Sequence, residues 1–146
     1  MIDNSLAYLL HKVVAQLDRA ADKLLRTHMD MSYNRAIFLL ALKQHGTVSQ
    51  HELAVALGYS DPAVSTMLLE LTKDGFVTTS PSPDHGRIRL VTITSEGSEI
   101  MEKARRLLEE EFEQLMVTSG VDAQQYRALT EQISQALAAK AKKEQL

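Results

Sequence analysis

The sequence contains no cysteine and no tryptophan, and only three prolines and six glycines among 146 residues. The lack of cysteine excludes a disulfide framework, a cysteine metal site and a thiol that senses oxidants. There is also no run of about 18 apolar residues, so no membrane-spanning helix is expected. With no disulfide to form, we expect the chain in the reducing cytoplasm.

The first residues of the sequence are not predicted to form a targeting signal, and the last ones are not predicted to be stably folded. Asp3 precedes a short apolar stretch, and no small-residue cleavage site follows, so the first fourteen residues are not predicted to be a signal peptide. The polar, lysine-containing residues 140–146 are expected to fray.

A content of 45% hydrophobic and 24% charged residues is ordinary for a globular protein, and the length suits one domain with a substantial core.

Motifs for catalysis and metal binding are also missing. There is no glycine-rich phosphate loop, nucleophile elbow or paired-carboxylate cleft, so an enzyme is not expected. Five scattered histidines lack the spacing of a helical metal site, and His51-Glu52 is not followed by the second histidine of a zinc-protease motif. We therefore expect no metal and no cofactor.

Glycines and capping residues divide the first half of the chain into short helices. Apolar residues at steps of three and four predict a helix over residues 6–28. Ser32 can cap a second helix that ends before Gly46, and Ser49 with Glu52 forms a capping box for a third helix that ends at Gly58.

A fourth helix is predicted to start at residues 60–62, with Asp61 as the cap and Pro62 as the first helical residue, and to end at Gly75. The β-branched segments 76–79 and 88–93 predict a hairpin around a loop-forming stretch.

The last part of the chain predicts two further helices. Thr94 or Ser95 can cap a long helix through Met116, and Asp122 with Gln125 can begin the final one. The order is therefore four helices, a hairpin and two helices, which predicts a mostly helical α+β fold with long helices on both sides of a compact middle.

The middle of the chain has the order of a winged helix-turn-helix. Two short helices separated by a turn at Gly58 are followed by a hairpin with a polar tip. In that arrangement the second helix enters a major groove about 12 Å wide, and the wing reaches the neighbouring minor groove or phosphates.

The chain resembles the multiple-antibiotic-resistance regulator (MarR) family over essentially its whole length, most specifically in residues 48–77, the hairpin that follows, and residues 91–97. The elements that carry the resemblance are, in chain order, Glu52-Leu53-Ala54, Leu57-Gly58, Val64-Ser65, Leu71, Gly75-Phe76-Val77, Arg87 and Thr94-Ser95-Glu96-Gly97. The resemblance implies a homodimeric, sequence-specific regulator of transcription that binds a pseudo-palindromic operator in double-stranded DNA. It also implies a repressor that a small aromatic or anionic ligand releases. Residues 1–30 and 95–146 would form the dimerisation region, and residues 31–94 the DNA-binding region.

Carried over position by position, the resemblance assigns candidate binding residues. The DNA-binding set is Ser49, Gln50, Ser60, Asp61, Ala63, Ser65, Thr66, Lys73, His85, Arg87 and Arg89. The candidates for a small aromatic acid are His11, Tyr33, Phe38 and Arg87. The alternative is that Phe38 simply packs in the core and that Tyr33 packs at the junction between helices.

This sequence departs from the family pattern where DNA would be read. Thr66 and Glu70 stand at positions that are often basic in the family, and Leu69 lies on the side of the helix that is normally polar. In the wing, His85 stands where an aspartate usually orients the arginine. The net charge is −3, and residues 47–93 contain three basic against five acidic residues. Because nonspecific affinity scales with the phosphates neutralised, we expect modest, salt-sensitive binding.

Two alternatives therefore remain open. The scaffold could serve as a protein-interaction module that binds DNA weakly or not at all and acts through another regulator. A helical small-molecule-binding or enzymatic protein is the third interpretation.

Overall fold

A computed structural model describes residues 5–144. In this part of the chain the elements are α1 (Leu6–Met29), α2 (Tyr33–His45), β1 (Val48–Ser49), α3 (Gln50–Leu57), α4 (Asp61–Lys73), β2 (Val77–Pro81), β3 (Arg89–Ile93), α5 (Ser95–Ser119) and α6 (Ala123–Glu144). This order confirms the mostly helical α+β fold with a winged helix-turn-helix. The described residues fall into two compact units, one ending at Leu108 and the other beginning at Glu109. None of the helices between residues 5 and 144 is long and apolar enough to cross a membrane.

Most predicted helix starts are confirmed by hydrogen bonds. The Ser32 hydroxyl accepts the Arg35 N–H, and Ser49 and Glu52 form both bonds of the capping box. Asp122 accepts the Gln125 N–H at 2.8 Å at the start of α6.

The predicted start of α4 is wrong by one residue. Ser60, in an extended conformation, accepts the Ala63 N–H and is the cap, so Asp61 is the first helical residue and Pro62 the second. Either position suits proline, since the first four amides of a helix have no partner within it.

The sheet is antiparallel with strand order β1-β3-β2, and it contains a strand that the sequence did not predict. Val48 pairs with Val91 in β1, whereas β2 pairs with β3 along its whole length. The wing loop, residues 82–88, is closed by the Ser82 N–H donating to the Ile88 carbonyl oxygen at 2.7 Å. The sheet thus ties the start of α3 to the wing.

The core lies in the unit that ends at Leu108. Its fully buried side chains come from α1 to α4 and from the two wing strands, and the largest are Phe38, Leu25, Leu39, Leu42, Leu53, Leu71, Val64, Val77 and Val91. Thr94 caps α5 by accepting the Gly97 N–H, and its own hydroxyl donates to the Gly75 carbonyl oxygen at 2.7 Å. A Cβ on Gly97 would lie 2.1 Å from the Phe76 carbonyl oxygen, so this close packing requires glycine.

The unit that begins at Glu109 contains the end of α5 and all of α6, whose apolar side chains are exposed. Tyr126, Leu129, Ile133 and Leu137 share one face of α6 and are 38–63% exposed. Residues 140–144, which were expected to fray, are helical. Residues 1–4 and 145–146 lie outside the described residues. They belong to the first fourteen residues, which were not predicted to be a signal peptide, and to the segment 140–146, which was predicted to fray.

Candidate nucleic-acid interface

The first part of the site is the pair of helices α3 and α4, which meet across a tight turn. Gly58 ends α3 in the left-handed conformation (φ 68°), which glycine adopts without a steric cost. Tyr59 packs against Phe38 with ring centroids 5.4 Å apart, and its hydroxyl donates to Asn34 at 3.4 Å. The turn is therefore anchored on the core, and the direction of α4 is fixed.

The N-termini of α3 and α4 are joined by side chains. Nδ1 of His51 lies 3.2 and 3.3 Å from the two carboxylate oxygens of Asp61, and the Gln50 amide donates to the Asp61 carbonyl oxygen at 3.4 Å. His51 was not among the predicted site residues. Its position as the second residue of α3, facing the first residue of α4, is a signal that sequence could have supplied.

The outer face of α4 carries one charge over its first two turns, the exposed carboxylate of Asp61, beside small or uncharged polar side chains. Ala63, Ser65 and Thr66 are exposed, although the Thr66 hydroxyl already donates to the Pro62 carbonyl oxygen. The hydroxyls of Ser49 and Ser60 are engaged as helix caps. Lys73 lies at the far end of α4, away from the capped N-terminus, and is exposed.

The wing carries the cations closest to the hairpin tip. Arg87 and His85 are exposed in the wing loop, and between residues 5 and 144 no ion pair joins Arg87 to Asp84. Arg89 is held by the Thr79 hydroxyl on the neighbouring strand, which accepts from Nη2 at 2.9 Å. The wing therefore offers one arginine at its tip and one fixed along the sheet.

A partly exposed ion pair at the other end of α4 was not predicted from the sequence. Arg35 of α2 bonds to Asp74, which caps the C-terminus of α4, and its guanidinium lies 5.8 Å from the centre of the Phe76 ring. The Arg35 side chain is 18% exposed and that of Asp74 is 41% exposed. The pair offsets one of the five acidic charges counted in residues 47–93, and it joins α4 to α2.

The candidate ligand residues are not brought together as one site. Phe38 is 2% exposed and packs on Tyr59, which agrees with the core alternative. Tyr33 is half-buried, and burial raises the pKa of its hydroxyl. His11 is exposed on α1, and within the described residues no hydrogen bond or ion pair joins it or Arg87 to Tyr33.

Two carboxylates accept hydrogen bonds from backbone N–H groups at the starts of helices, which is a structural role. The Arg26 side chain, together with the Tyr33 N–H at 2.9 Å, lowers the pKa of Asp22. The capping-box bond from the Ser49 N–H lowers the pKa of Glu52. Over residues 5–144 no group of three potential metal ligands is clustered.

Comparison with known proteins shows that this winged helix is similar to a known family. The profile of the MarR family matches residues 29–88, which include α2 to α4 and β2. The fold of E. coli MarR superposes with a TM-score of 0.79 at 25% identity, and it covers 91% of this chain and 96% of that one. Over residues 29–88 the chain is similar to the MarR family, and this similarity confirms the predicted resemblance. The matched relatives are transcriptional regulators, which agrees with the expectation that the chain is not an enzyme.

The individual relatives are distant from this chain in sequence. An HTH-type transcriptional regulator of Mycobacterium leprae is 27% identical over 63% of this chain, and the repressor IacR of Pseudomonas putida is 26% identical over 73%. The matches span 64% and 63% of those two proteins. A mutant E. coli MarR in complex with operator DNA superposes with a TM-score of 0.77 at 25% identity, covering 90% of this chain and 93% of that one.

Proposed function

We infer that this chain is a sequence-specific DNA-binding regulator of transcription that acts as a homodimer, and therefore acts in the cytoplasm. The observation that carries the inference is the joint exposure of the N-terminal half of α4 and the wing arginines on one winged helix. The solved structure of E. coli MarR with operator DNA supports it by similarity. Residues 31–94 would bind DNA, with α4 in the major groove and Arg87 at the minor groove.

Exposed apolar side chains on α1 and on α6 support homodimer formation. On α1, Leu6, Leu9 and Val14 are 53–69% exposed, and on α6 the face from Tyr126 to Leu137 is exposed as well. Contiguous exposed apolar surface of this kind is typical of protein interfaces. Residues 1–30 and 95–146 would therefore form the dimerisation region, and the acidic run at residues 109–113 would keep phosphates away from it.

A two-fold dimer dictates the form of its operator. Two copies of α4 would read a pseudo-palindrome with half-sites about one helical turn apart. The repressor IacR among the relatives supports repression, and a small aromatic acid that releases DNA remains the proposed effector.

A mobility-shift assay across genomic fragments, including the region upstream of the chain's own gene, tests DNA binding. We expect at least one fragment to bind more tightly than random DNA of the same length. If no fragment exceeds random DNA even at low salt, the proposed function is wrong.

The role of the wing has a separate readout in the salt dependence of binding. Replacing Arg87 by alanine removes one phosphate contact, so the slope of log K against log salt should become shallower by about one unit. Arg127→Ala is the matched control, because Arg127 lies on α6 and is exposed there. An unchanged slope for Arg87→Ala would show that the wing does not contact phosphate.

Action through another regulator is the second candidate function. Leu69 is 74% exposed on the DNA-reading helix, where a polar side chain is usual, and the surrounding charges balance to near zero. A stable complex with a different protein, together with no DNA binding, would favour this function. A pure homodimer that binds DNA would remove it.

A further inference from the structure

The first residue of α4 carries a carboxylate that the helix does not use as its cap. The Ser60 hydroxyl accepts the Ala63 N–H at 3.3 Å and thereby takes the capping role. The Asp61 side chain is 55% exposed at the end of α4. In helix-turn-helix proteins, residues at this end of the recognition helix contact the edges of bases.

Two side chains of α3 hold Asp61 in one orientation. His51 approaches both carboxylate oxygens almost equally, at 3.2 and 3.3 Å, and Gln50 binds the main-chain carbonyl of the same residue at 3.4 Å. An exposed side-chain contact of this kind adds little to the free energy of unfolding. Its main consequence is that the carboxylate is oriented before DNA arrives.

The chemistry of a carboxylate restricts what it can face in a major groove. An ionised carboxylate only accepts hydrogen bonds, and it has about four lone-pair directions, so the bond to His51 leaves others open. The amino group of cytosine is the donor that aspartate reads in the major groove. Thymine and guanine present acceptors there, and adenine presents its amino group next to the acceptor N7, which would repel the carboxylate. Phosphates would repel the same carboxylate.

We propose that Asp61 is a specificity-determining residue that selects a cytosine in each half-site, and that His51 is the positioning residue that orients its carboxylate. The inference rests on the proposed function, because it requires α4 to lie in the major groove. It differs from general DNA affinity because a carboxylate adds no attraction to the backbone. It acts instead by penalising bases that turn an acceptor atom toward the carboxylate.

Selection of bound duplexes from a random pool, with wild type, Asp61→Asn and the control Glu70→Gln, tests the role of Asp61. Glu70→Gln removes an exposed carboxylate from the same helix and so matches the change in charge. We expect one cytosine per half-site with the wild type and with Glu70→Gln, and a relaxed preference at that position with Asp61→Asn. Exchanging that C·G pair for T·A should weaken wild-type binding roughly tenfold and should change Asp61→Asn binding much less.

The positioning role of His51 has its own readout. With His51→Ala the discrimination between cytosine and thymine should fall, while affinity for other positions of the site stays unchanged. A merely structural bridge would instead lower affinity for both duplexes equally. Asp61→Ser provides a second variant, and circular dichroism establishes that each variant is folded.

The outcomes separate this inference from the proposed function. A motif that is enriched by the wild type and recovered unchanged with Asp61→Asn would overturn the role of Asp61 and leave DNA binding intact. A wild-type protein that enriches no motif would overturn the proposed function, and this inference with it.

Discussion

Apolar residues form a buried core in the unit that ends at Leu108, whereas those of α6 are exposed. In the described part of the chain every buried hydrophobic residue belongs to the first unit, from Leu25 to Ala104, whereas each side chain described on α6 is exposed. The buried core therefore belongs to the unit that ends at Leu108. The exposed stripe on α6 has the spacing of a buried face. The stability of the fold and its proposed assembly are thus assigned to different parts of the sequence.

The largest expected effect comes from placing charge on the exposed stripe. Replacing both Leu129 and Ile133 by glutamate should weaken self-association by more than about 100-fold, because unpaired carboxylates would enter an apolar interface. Sedimentation velocity measures the change. Gln135→Glu, a charge on the opposite side of α6, is the control and should leave the dimer intact. A double variant that remains a dimer would mean that this face is not the interface.

In the buried core, removing side-chain volume should lower the free energy of unfolding. Leu39 is fully buried, so Leu39→Ala should lower the free energy of unfolding by about 2–5 kcal/mol. Leu69→Ala, the same change at a side chain that is 74% exposed, should alter it by no more than about 0.5 kcal/mol. Urea unfolding measures both, and equal losses would contradict the division between core and surface described here.

A smaller effect is expected at the start of α4. Ser60→Ala removes the cap and should cost about 1 kcal/mol of stability. Asp61→Ala should cost less, because its carboxylate is more than half exposed and does not cap the helix. Thermal unfolding of the two variants gives the comparison, and a larger loss for Asp61→Ala would restore aspartate as the cap.

The smallest effect concerns a surface carboxylate between α2 and α5. Arg105, aided by Lys43, lowers the pKa of Glu102 from 4.5 to about 2. Since the pKa is lower in the folded state, the contribution of Glu102 is present above about pH 4.5 and is lost as the pH falls toward 2. Glu102→Gln should flatten stability against pH in that window. Unfolding curves that stay parallel for wild type and variant would contradict this assignment.

Local signals in the sequence predicted most of the fold. Serine caps, the capping box and the glycine that ends α3 each act within a few residues, so they can be read directly from the chain. β1 was missed because two residues show no alternation, and its pairing with Val91 depends on distant sequence. The error at Asp61 has a local cause, since serine and aspartate are both good caps and stand side by side.

The candidate site was less predictable because its contacts cross between elements. The pairs His51–Asp61 and Arg35–Asp74 join residues that are 10 and 39 positions apart. A count of charges along the sequence cannot show that Arg35 and Asp74 are paired or that His51 contacts Asp61. Arg87, exposed in the wing loop, is therefore the main test of phosphate binding.

Selection of bound sequences from random duplex DNA at two salt concentrations tests the central claim most directly. The account predicts enrichment of two inverted half-sites about one helical turn apart at both concentrations, with weaker recovery at the higher one. A pool that stays unenriched at low salt, from a protein shown to be folded and dimeric, would contradict it.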